Sequence, residues 1–233
     1  MHFEVPTTVP VEGLTLGDEI GRGGFAVVVD ASVEGEQTRR AVKFVRPEMA
    51  GSTSRRTRWV TFMKLLAKQG VESLPAIHHV GVTDQSVAFA VMDLVSGETL
   101  QSRLGEKGLG FEESRSVLLG LAKALGDLHA KQIVHADLRP TKVMVEGEGD
   151  EQSVTLLPPG NYRTLLRPQG DPAHTLVPSG GAPAYLAPEQ VRGESADVRT
   201  DVYQFGLLAT ETVTGALPFS GTTAAEQIAS RAG

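Results

Sequence analysis

The chain has 233 residues, of which 40% are hydrophobic and 21% are charged, and its formal net charge is −6. This composition is typical of a globular protein and argues against a nucleic-acid binder, which usually carries a basic face. The absence of cysteine excludes disulfide bonds and thiol catalysis, and no stretch reaches the roughly 18 apolar residues that a membrane span requires.

The first half of the chain contains a series of short predicted strands. We expect residues 1–13 to form an N-terminal tail, which lacks the basic and apolar segments of a secretion signal. Alternating apolar and polar residues then predict strands, with a turn at Gly35, over residues 19–20, 26–31 and 40–45. Beyond them we expect one helix and two more strands, over residues 57–68, 79–82 and 86–94.

A change of character after Gly97 indicates a second, mainly helical part. Leucines repeat there at spacings of three and four residues and mark one face of a helix: Leu118, Leu121, Leu125 and Leu128. A later helix is expected over residues 202–213, with Gly215 as its stop. We therefore predict two lobes, joined near residues 93–97, that comprise residues 14–95 and 96–233.

Residues 21–28 read G-R-G-G-F-A-V-V and fit the pattern G-x-G-x-x-A-x-V. Glycines let backbone N–H groups approach a phosphate without a side chain in the way. A dinucleotide-binding fold needs a helix directly after the glycines, whereas here three consecutive valines follow. This pattern fits a hairpin that covers the phosphates of ATP, although an ordinary glycine-rich turn has a similar composition. Lys43, one strand later, is either a surface residue or a phosphate ligand.

The stretch from His135 to Lys142 reads H-A-D-L-R-P-T-K and resembles the catalytic loop of a protein kinase, H-R-D-L-K-P-E-N. Two other stretches, G-A-P-A-Y-L-A-P-E at 181–189 and T-D-V-Y-Q-F-G at 200–206, are similar to kinase scaffold motifs. From about residue 14 to residue 231 the chain resembles the bacterial relatives of eukaryotic Ser/Thr protein kinases. The resemblance implies an α+β, two-lobed fold: a small antiparallel sheet with one helix, then a mainly α-helical lobe that is C-terminally truncated.

The resemblance also implies ATP as a ligand and assigns roles to individual residues. Lys43 would neutralise phosphates, Asp137 would orient or deprotonate a substrate hydroxyl, and Arg139 would meet the γ-phosphate. Asp201 and Glu189 would hold the scaffold. The implied nucleotide-binding residues are Ile20, Gly21, Gly23, Val28, Ala41, Lys43, Met92, Asp93, Val95, Glu98, Lys142 and Met144. A hydrophobic core between two lobes would have the same apolar pattern.

The departures from the kinase pattern accumulate where the chemistry takes place. Lys142 replaces the metal-binding Asn, and Pro158 replaces the Asp of D-F-G. Lys and Pro side chains offer no oxygen to Mg²⁺, so we expect magnesium binding to be weak or absent and assign no metal ligand. The other replacements are Phe62 for the helix Glu, Ala136 for the loop Arg, Pro159 for the Phe of D-F-G, and Ala182 for a hydroxyl residue.

Three functions remain open at this stage. The first is a pseudokinase, expected in the cytoplasm, that binds nucleotide weakly or without metal and acts through protein partners. The second is an active Ser/Thr kinase that phosphorylates protein substrates with atypical metal use. The third is an interaction module that binds no nucleotide. No nucleic acid or membrane span is expected in any of them.

Overall fold

The computed structural model describes residues 3–50, 52–159, 183–219 and 226. The segment 160–182, with the predicted positions Gly160, Gly181 and Ala182, lies outside the described residues. The chain divides into two compact units. The N-terminal unit comprises Met1–Val71 and Pro75–Val95, and the C-terminal unit comprises Glu72–Leu74 and Ser96–Gly233.

The N-terminal unit is built on a five-stranded antiparallel sheet. Its strands stand in the order β1-β2-β3-β5-β4 and are β1 (Leu14–Arg22), β2 (Ala26–Val33), β3 (Arg40–Val45), β4 (Ile77–Val82) and β5 (Ala88–Asp93). The predicted bounds of β3 agree with the structure, whereas β1 is much longer than predicted. Register shifts around Glu19 interrupt the pairing of β1 with β2, so the alternation that marks a strand is lost there.

One face of this sheet carries the apolar core of the unit. Its side chains are buried valines, phenylalanines and an alanine from three strands and from the turn before β5, namely Val27, Val29, Ala31, Val42, Phe44, Val87, Phe89 and Val91. Phe3 is buried in the same cluster, with Val5, Val9 and Val11 packed against it. Part of the segment that we expected as a tail therefore contributes to this core, because its alternate apolar residues cover the sheet.

Helix α2 (Thr53–Gln69) extends the predicted helix at both ends and follows a single turn, α1 (Pro47–Ala50). The side chain of Ser52 caps α2 by accepting the N–H of Arg55, and Gly70 ends it in the left-handed conformation. The buried residues are spaced for one helical face: Trp59, Phe62, Met63 and Leu66. No residue of this helix is acidic.

The C-terminal unit is mainly helical. Its helices are α3 (Leu100–Arg103), α4 (Phe111–Ala130), α5 (Pro188–Val191) and α6 (Val198–Thr214). A small antiparallel sheet of three short strands accompanies them, in the order β6 (Glu98–Thr99), β7 (Val143–Glu146) and β8 (Ser153–Leu156). This fold is the α+β fold predicted from the sequence. Among the described residues, no helix has the length and apolar character needed to cross a bilayer.

Helices α4 and α6 position the catalytic loop, and the sequence signals of both are confirmed. Three of the four predicted leucines of α4 are buried, whereas Leu118 is half-buried. Helix α6 begins behind the capping carboxylate of Asp197 and ends at Gly215, where φ is +76°. A Cβ atom at Gly215 would lie 2.3 Å from the carbonyl oxygen of Glu106, so this turn requires glycine.

Candidate functional site

The backbone of the catalytic loop is held by one buried carboxylate, Asp201 of helix α6. Its Oδ1 accepts the N–H of Ala136 at 2.7 Å, and its Oδ2 accepts the N–H of His135 at 2.8 Å. The ring Nε2 of His129 also lies 2.8 Å from Oδ2. Ala136 has a φ of +54°, a backbone conformation that residues other than glycine rarely adopt. The bonds to Asp201 hold it in this conformation. Asp201 therefore fixes the path of the chain just before Asp137.

Two buried glutamines continue this support. Gln204 lies one helical turn after Asp201, and its Oε1 accepts the N–H of Leu138 at 2.9 Å. Its Nε2 donates to Oε1 of Gln190 at 2.9 Å, and Gln190 Nε2 donates to the carbonyl oxygen of Ala136 at 2.8 Å. The loop backbone is thus bonded both before and after Asp137, and the buried polar groups satisfy one another.

His135 is held in a single neutral form inside the loop. Its Nε2 lies 3.0 Å from the carbonyl oxygen of Leu157, which only accepts, so Nε2 carries the hydrogen. Its Nδ1 accepts the N–H of Asp137 at 3.2 Å and is therefore unprotonated. Burial lowers the pKa of His135, in agreement with this neutral state. The imidazole joins the catalytic loop to the end of the strand that precedes Pro158.

Three charged side chains meet at the predicted catalytic position. Asp137 is 6% exposed, and its Oδ1 lies 3.3 Å from Nε of Arg139. The Nζ of Lys142 lies 3.9 Å from Asp137 Oδ2 and 3.4 Å from the carbonyl oxygen of Pro158. One carboxylate therefore lies between two cations, and the Lys142 ammonium group also contacts the backbone of Pro158.

Burial dominates the electrostatics of Lys142. Its side chain is 12% exposed, and this burial lowers its pKa. The negative charge of Asp137 opposes the shift, whereas the positive charge of Arg139 adds to it. At a separation of about 4 Å and an effective dielectric constant of about 20, opposite unit charges attract by roughly 4 kcal/mol. This attraction offsets only part of the cost of removing the ammonium group from water, so the net effect of the surroundings still lowers the pKa of Lys142.

The donor set here does not fit Mg²⁺. Mg²⁺ requires oxygen ligands in near-octahedral geometry, and the family positions hold Lys142 and Pro158, whose side chains supply none. The backbone oxygen of Pro158 lies within reach of the Lys142 ammonium group, which would repel a divalent cation. Within the described residues, no three His, Asp or Glu side chains form a group that could hold a metal ion.

The nucleotide-binding residues predicted in the N-terminal unit share one face of the sheet. Val28 pairs directly with Lys43, and Ala41 pairs directly with Met92, so these four side chains point to the face opposite the apolar core. Ala41, Lys43 and Met92 are buried, and Val28 is half-buried. The sheet therefore brings these four residues together on one face, with one ammonium group among apolar side chains.

The remaining predicted nucleotide-binding residues lie in several different elements of the two units. In the N-terminal unit, Ile20 is 49% exposed, and the N–H of Asp93 is already bonded to the carbonyl oxygen of Ala76 at 2.9 Å. In the C-terminal unit, Glu98 is exposed and lies 3.2 Å from Arg103. The others lie as follows: Gly21 near the end of β1, Gly23 in the turn after it, Val95 just beyond β5, and Met144 on β7 opposite Thr99.

The helix that supplies a Glu to the strand lysine in kinases supplies none here. Phe62 lies in α2 at the predicted position and is buried. Glu48 lies in the separate turn α1. The ring of Phe25, from the glycine-rich turn, lies with its centroid 5.9 Å from Nζ of Lys43. An aromatic ring at this distance attracts an ammonium group by about 0.5–2 kcal/mol.

The chain matches the model of the protein kinase domain over residues 14–232. The chain belongs to the protein kinase family. Curated relatives include "Probable serine/threonine-protein kinase PknB" of Bifidobacterium longum, which is 31% identical over 96% of this chain and 33% of the relative. "Serine/threonine-protein kinase PknL" of Mycobacterium tuberculosis is 34% identical over 79% of this chain and 45% of the relative. This kinase domain thus spans between a third and half of the length of these relatives.

Solved structures show the same fold. The kinase domain of Mycobacterium tuberculosis PknI, in a double mutant, matches with a TM-score of 0.73 and 22% sequence identity. The match covers 95% of this chain and 82% of the PknI chain. The kinase fold is therefore present although most residues differ.

Sequence reasoning missed several residues that shape this kinase domain. Gln204 and Gln190 had no assigned role, although Gln204 lies three residues after Asp201 and therefore on the same side of the helix. The contacts of Phe25, and those of Arg46 with the glycine-rich turn, had no signal because they depend on how the chain folds back on itself.

Replacing the buried carboxylate should destabilise the C-terminal unit. In Asp201→Asn, one acceptor oxygen becomes an amide that faces a backbone N–H, so we expect a loss of about 2–4 kcal/mol in the free energy of unfolding. Urea denaturation compares this variant with Asp84→Asn, an exposed position in the turn before β5. Equal stability of the two variants would contradict the role given to Asp201.

The buried ammonium group predicts a specific pH dependence. Because the pKa of Lys142 is lowered in the folded protein, folding releases a proton as the pH rises from the folded pKa towards the ordinary value of 10.5. The ammonium group destabilises the fold at lower pH, and this cost disappears as the pH rises through that window. The free energy of unfolding of the wild type should therefore rise relative to that of Lys142→Met as the pH approaches 10.5.

Denaturation series at several pH values check this prediction. Lys123→Met, at an exposed position on α4, serves as the control for losing a lysine. A difference between wild type and Lys142→Met that stays constant with pH, or that moves against the wild type, would contradict the burial of a charged Lys142.

Proposed function

We propose that this chain is a pseudokinase domain. It binds ATP weakly or without a divalent metal, does not transfer the γ-phosphate at a kinase rate, and acts through protein partners. Phosphoryl transfer relies on metal ions that bridge the phosphates and neutralise the charge that develops. A domain that lacks the metal ligands has lost the main source of that stabilisation.

The position of the Lys142 ammonium group supports this proposal most strongly. It lies 3.9 Å from Asp137 and 3.4 Å from the carbonyl oxygen of Pro158, and Lys142 and Pro158 occupy the two sequence positions that carry metal ligands in kinases. A simple loss of one ligand would leave an empty polar site that solvent or an ion could fill. Here a positive charge takes that place, so the substitution opposes a divalent cation electrostatically.

The same charge gives a reason for binding nucleotide without metal. Lys142 and Arg139 are both within 4 Å of Asp137, and together they leave this part of the loop with a net positive charge. The N-terminal unit has its own buried ammonium group, that of Lys43 on the sheet. The lysine ammonium groups compensate phosphate charge as point charges, without the fixed coordination geometry that catalysis requires.

A second candidate function, an active Ser/Thr kinase with atypical metal use, is favoured by the intact catalytic loop. The loop is bonded through Asp201 on one side of Asp137 and through Gln204 on the other. Asp137, Lys43 and Arg139 are all present, and the relatives named above are serine/threonine kinases. Retention of this support fits a domain that still needs Asp137 in one position.

Ligand-dependent stability separates the hypotheses. A ligand that binds only the folded state adds about 2.7 kcal/mol at 100 times its Kd. For the pseudokinase, thermal unfolding should show the same ATP-dependent stabilisation in EDTA as in excess Mg²⁺. A markedly larger stabilisation in Mg²⁺ would contradict the proposal and favour the active kinase. No stabilisation by ATP under either condition would favour an interaction module without nucleotide.

Restoring the metal ligands provides the matched test. The double variant Lys142→Asn with Pro158→Asp returns an oxygen ligand at each family position, so its ATP-dependent stabilisation should become larger in Mg²⁺ than in EDTA. The control Lys123→Asn makes the same residue change at an exposed position on α4. The proposal fails if the wild type already shows the Mg²⁺ dependence of the double variant.

A further inference from the structure

The glycine-rich turn of the N-terminal unit places an aromatic side chain against the predicted phosphate lysine. Phe25 stands at the tip of this turn, between β1 and β2, yet only 6% of it is exposed. Its ring centroid lies 5.9 Å from Nζ of Lys43, which is equally buried. A phenylalanine at the tip of a hairpin is ordinarily solvent-exposed, so this ring is folded inward.

Arg46, the residue after β3, holds the turn in this position. Its N–H donates to the carbonyl oxygen of Phe25 at 3.0 Å, and its side-chain Nε donates to the carbonyl oxygen of Gly23 at 2.8 Å. Within the turn, the N–H of Gly23 donates to the carbonyl oxygen of Ala26 at 2.9 Å. The turn is therefore closed by its own bonds, and one of the amide groups that a phosphate-binding loop would offer is already used.

The opposite edge of the turn is also tied down. Arg22 forms an ion pair with Glu19, and its guanidinium Nη1 donates to the carbonyl oxygen of Phe3 at 3.3 Å. Phe3 is itself buried in the core of the sheet. Both flanks of Phe25 are thus anchored to ordered parts of the same unit, so the inward position of the ring is a defined state of the turn.

We propose that Phe25 is a gate over Lys43, which the phosphates of a nucleotide must displace before they reach the ammonium group, and that Arg46 sets how firmly the gate is closed. This inference rests on the proposed function, in which Lys43 meets the phosphates. The π face of the ring and a phosphate both bind the ammonium group, and the turn that carries Phe25 is the same turn that would carry the phosphates. The closed gate lowers affinity for phosphate groups and leaves affinity for the nucleoside part unchanged.

The first experiment measures the gate without any nucleotide. Trace acetylation with acetic anhydride, read by mass spectrometry, reports how accessible each lysine amine is. In Phe25→Ala the labelling of Lys43 should rise about threefold or more, relative to Lys64 and Lys68 on helix α2, because the competing ring is gone. Arg46→Met keeps the ring but removes one anchor, so it should raise the labelling in the same direction. Unchanged Lys43 labelling in both variants would overturn the inference.

The second experiment asks whether the gate discriminates phosphate. Calorimetric titrations in EDTA compare ATP with adenosine, which lacks phosphates. Opening the gate in either variant should tighten ATP binding about threefold or more and leave adenosine binding unchanged. Weaker ATP binding in both variants would overturn the inference, since Phe25 would then support the nucleotide. Phe111→Ala, at a residue 79% exposed in the C-terminal unit, is the matched control and should behave as the wild type.

The two experiments keep the inference separate from the proposed function. If Lys43 labelling rises in the variants while neither wild type nor variants bind ATP or adenosine, the gate exists and the proposed nucleotide binding is wrong. If labelling does not rise, the gate is wrong whatever the titrations show. Should Phe25→Ala fail to fold, Arg46→Met carries both measurements, because its aromatic core is intact.

Discussion

The position of each reactive group in the C-terminal unit depends on the buried carboxylate of Asp201. It binds two consecutive backbone N–H groups of the catalytic loop, at 2.7 and 2.8 Å, from a helix that is distant in sequence. These bonds hold Ala136 in a left-handed conformation, and the turn that results directs Asp137 towards Arg139 and Lys142. A buried acceptor of this kind is costly unless it is fully bonded, so the loop and the helix stabilise each other. The bonds that hold the catalytic loop therefore join residues of the chain itself and involve neither nucleotide nor metal.

Because the loop is held by these bonds, it keeps its conformation with a lysine, Lys142, at a sequence position where kinases have a metal ligand. Lys142 brings an ammonium group to the position of a neutral oxygen ligand, and Asp137 and the carbonyl oxygen of Pro158 offset part of the cost of its burial. The charges of this cluster are paired with one another. The N-terminal unit carries its own restriction, since Phe25 lies beside Lys43 in a turn closed by Arg46. The N-terminal unit thus keeps the family lysine, Lys43, beside the ring of Phe25. The C-terminal unit keeps the family aspartate, Asp137, beside Arg139 and Lys142.

Much of the fold could be predicted because its signals are local. The alternation in β3, the leucine spacing in α4 and the glycine that ends α6 depend on neighbours in sequence, and the structure agrees with them. The length of β1 could not be predicted, because its register shifts conceal the alternation. The candidate site was located through family resemblance, which compares residue types but not contacts. The inward ring of Phe25, the two anchoring bonds of Arg46 and the burial of Lys142 arise from the folded chain, so sequence alone gave no account of them.

We propose that Lys142 and Pro158 have removed metal-dependent phosphoryl transfer from a domain that keeps its kinase scaffold. Transfer of radiolabelled γ-phosphate from ATP, measured in Mg²⁺ with both self-phosphorylation and a general protein substrate, tests it most directly. We expect the wild type to incorporate no more label than Asp137→Ala, because Asp137 has no metal-bound phosphate on which to act. Label that depends on Mg²⁺ and is lost in Asp137→Ala would contradict the claim and establish an active kinase.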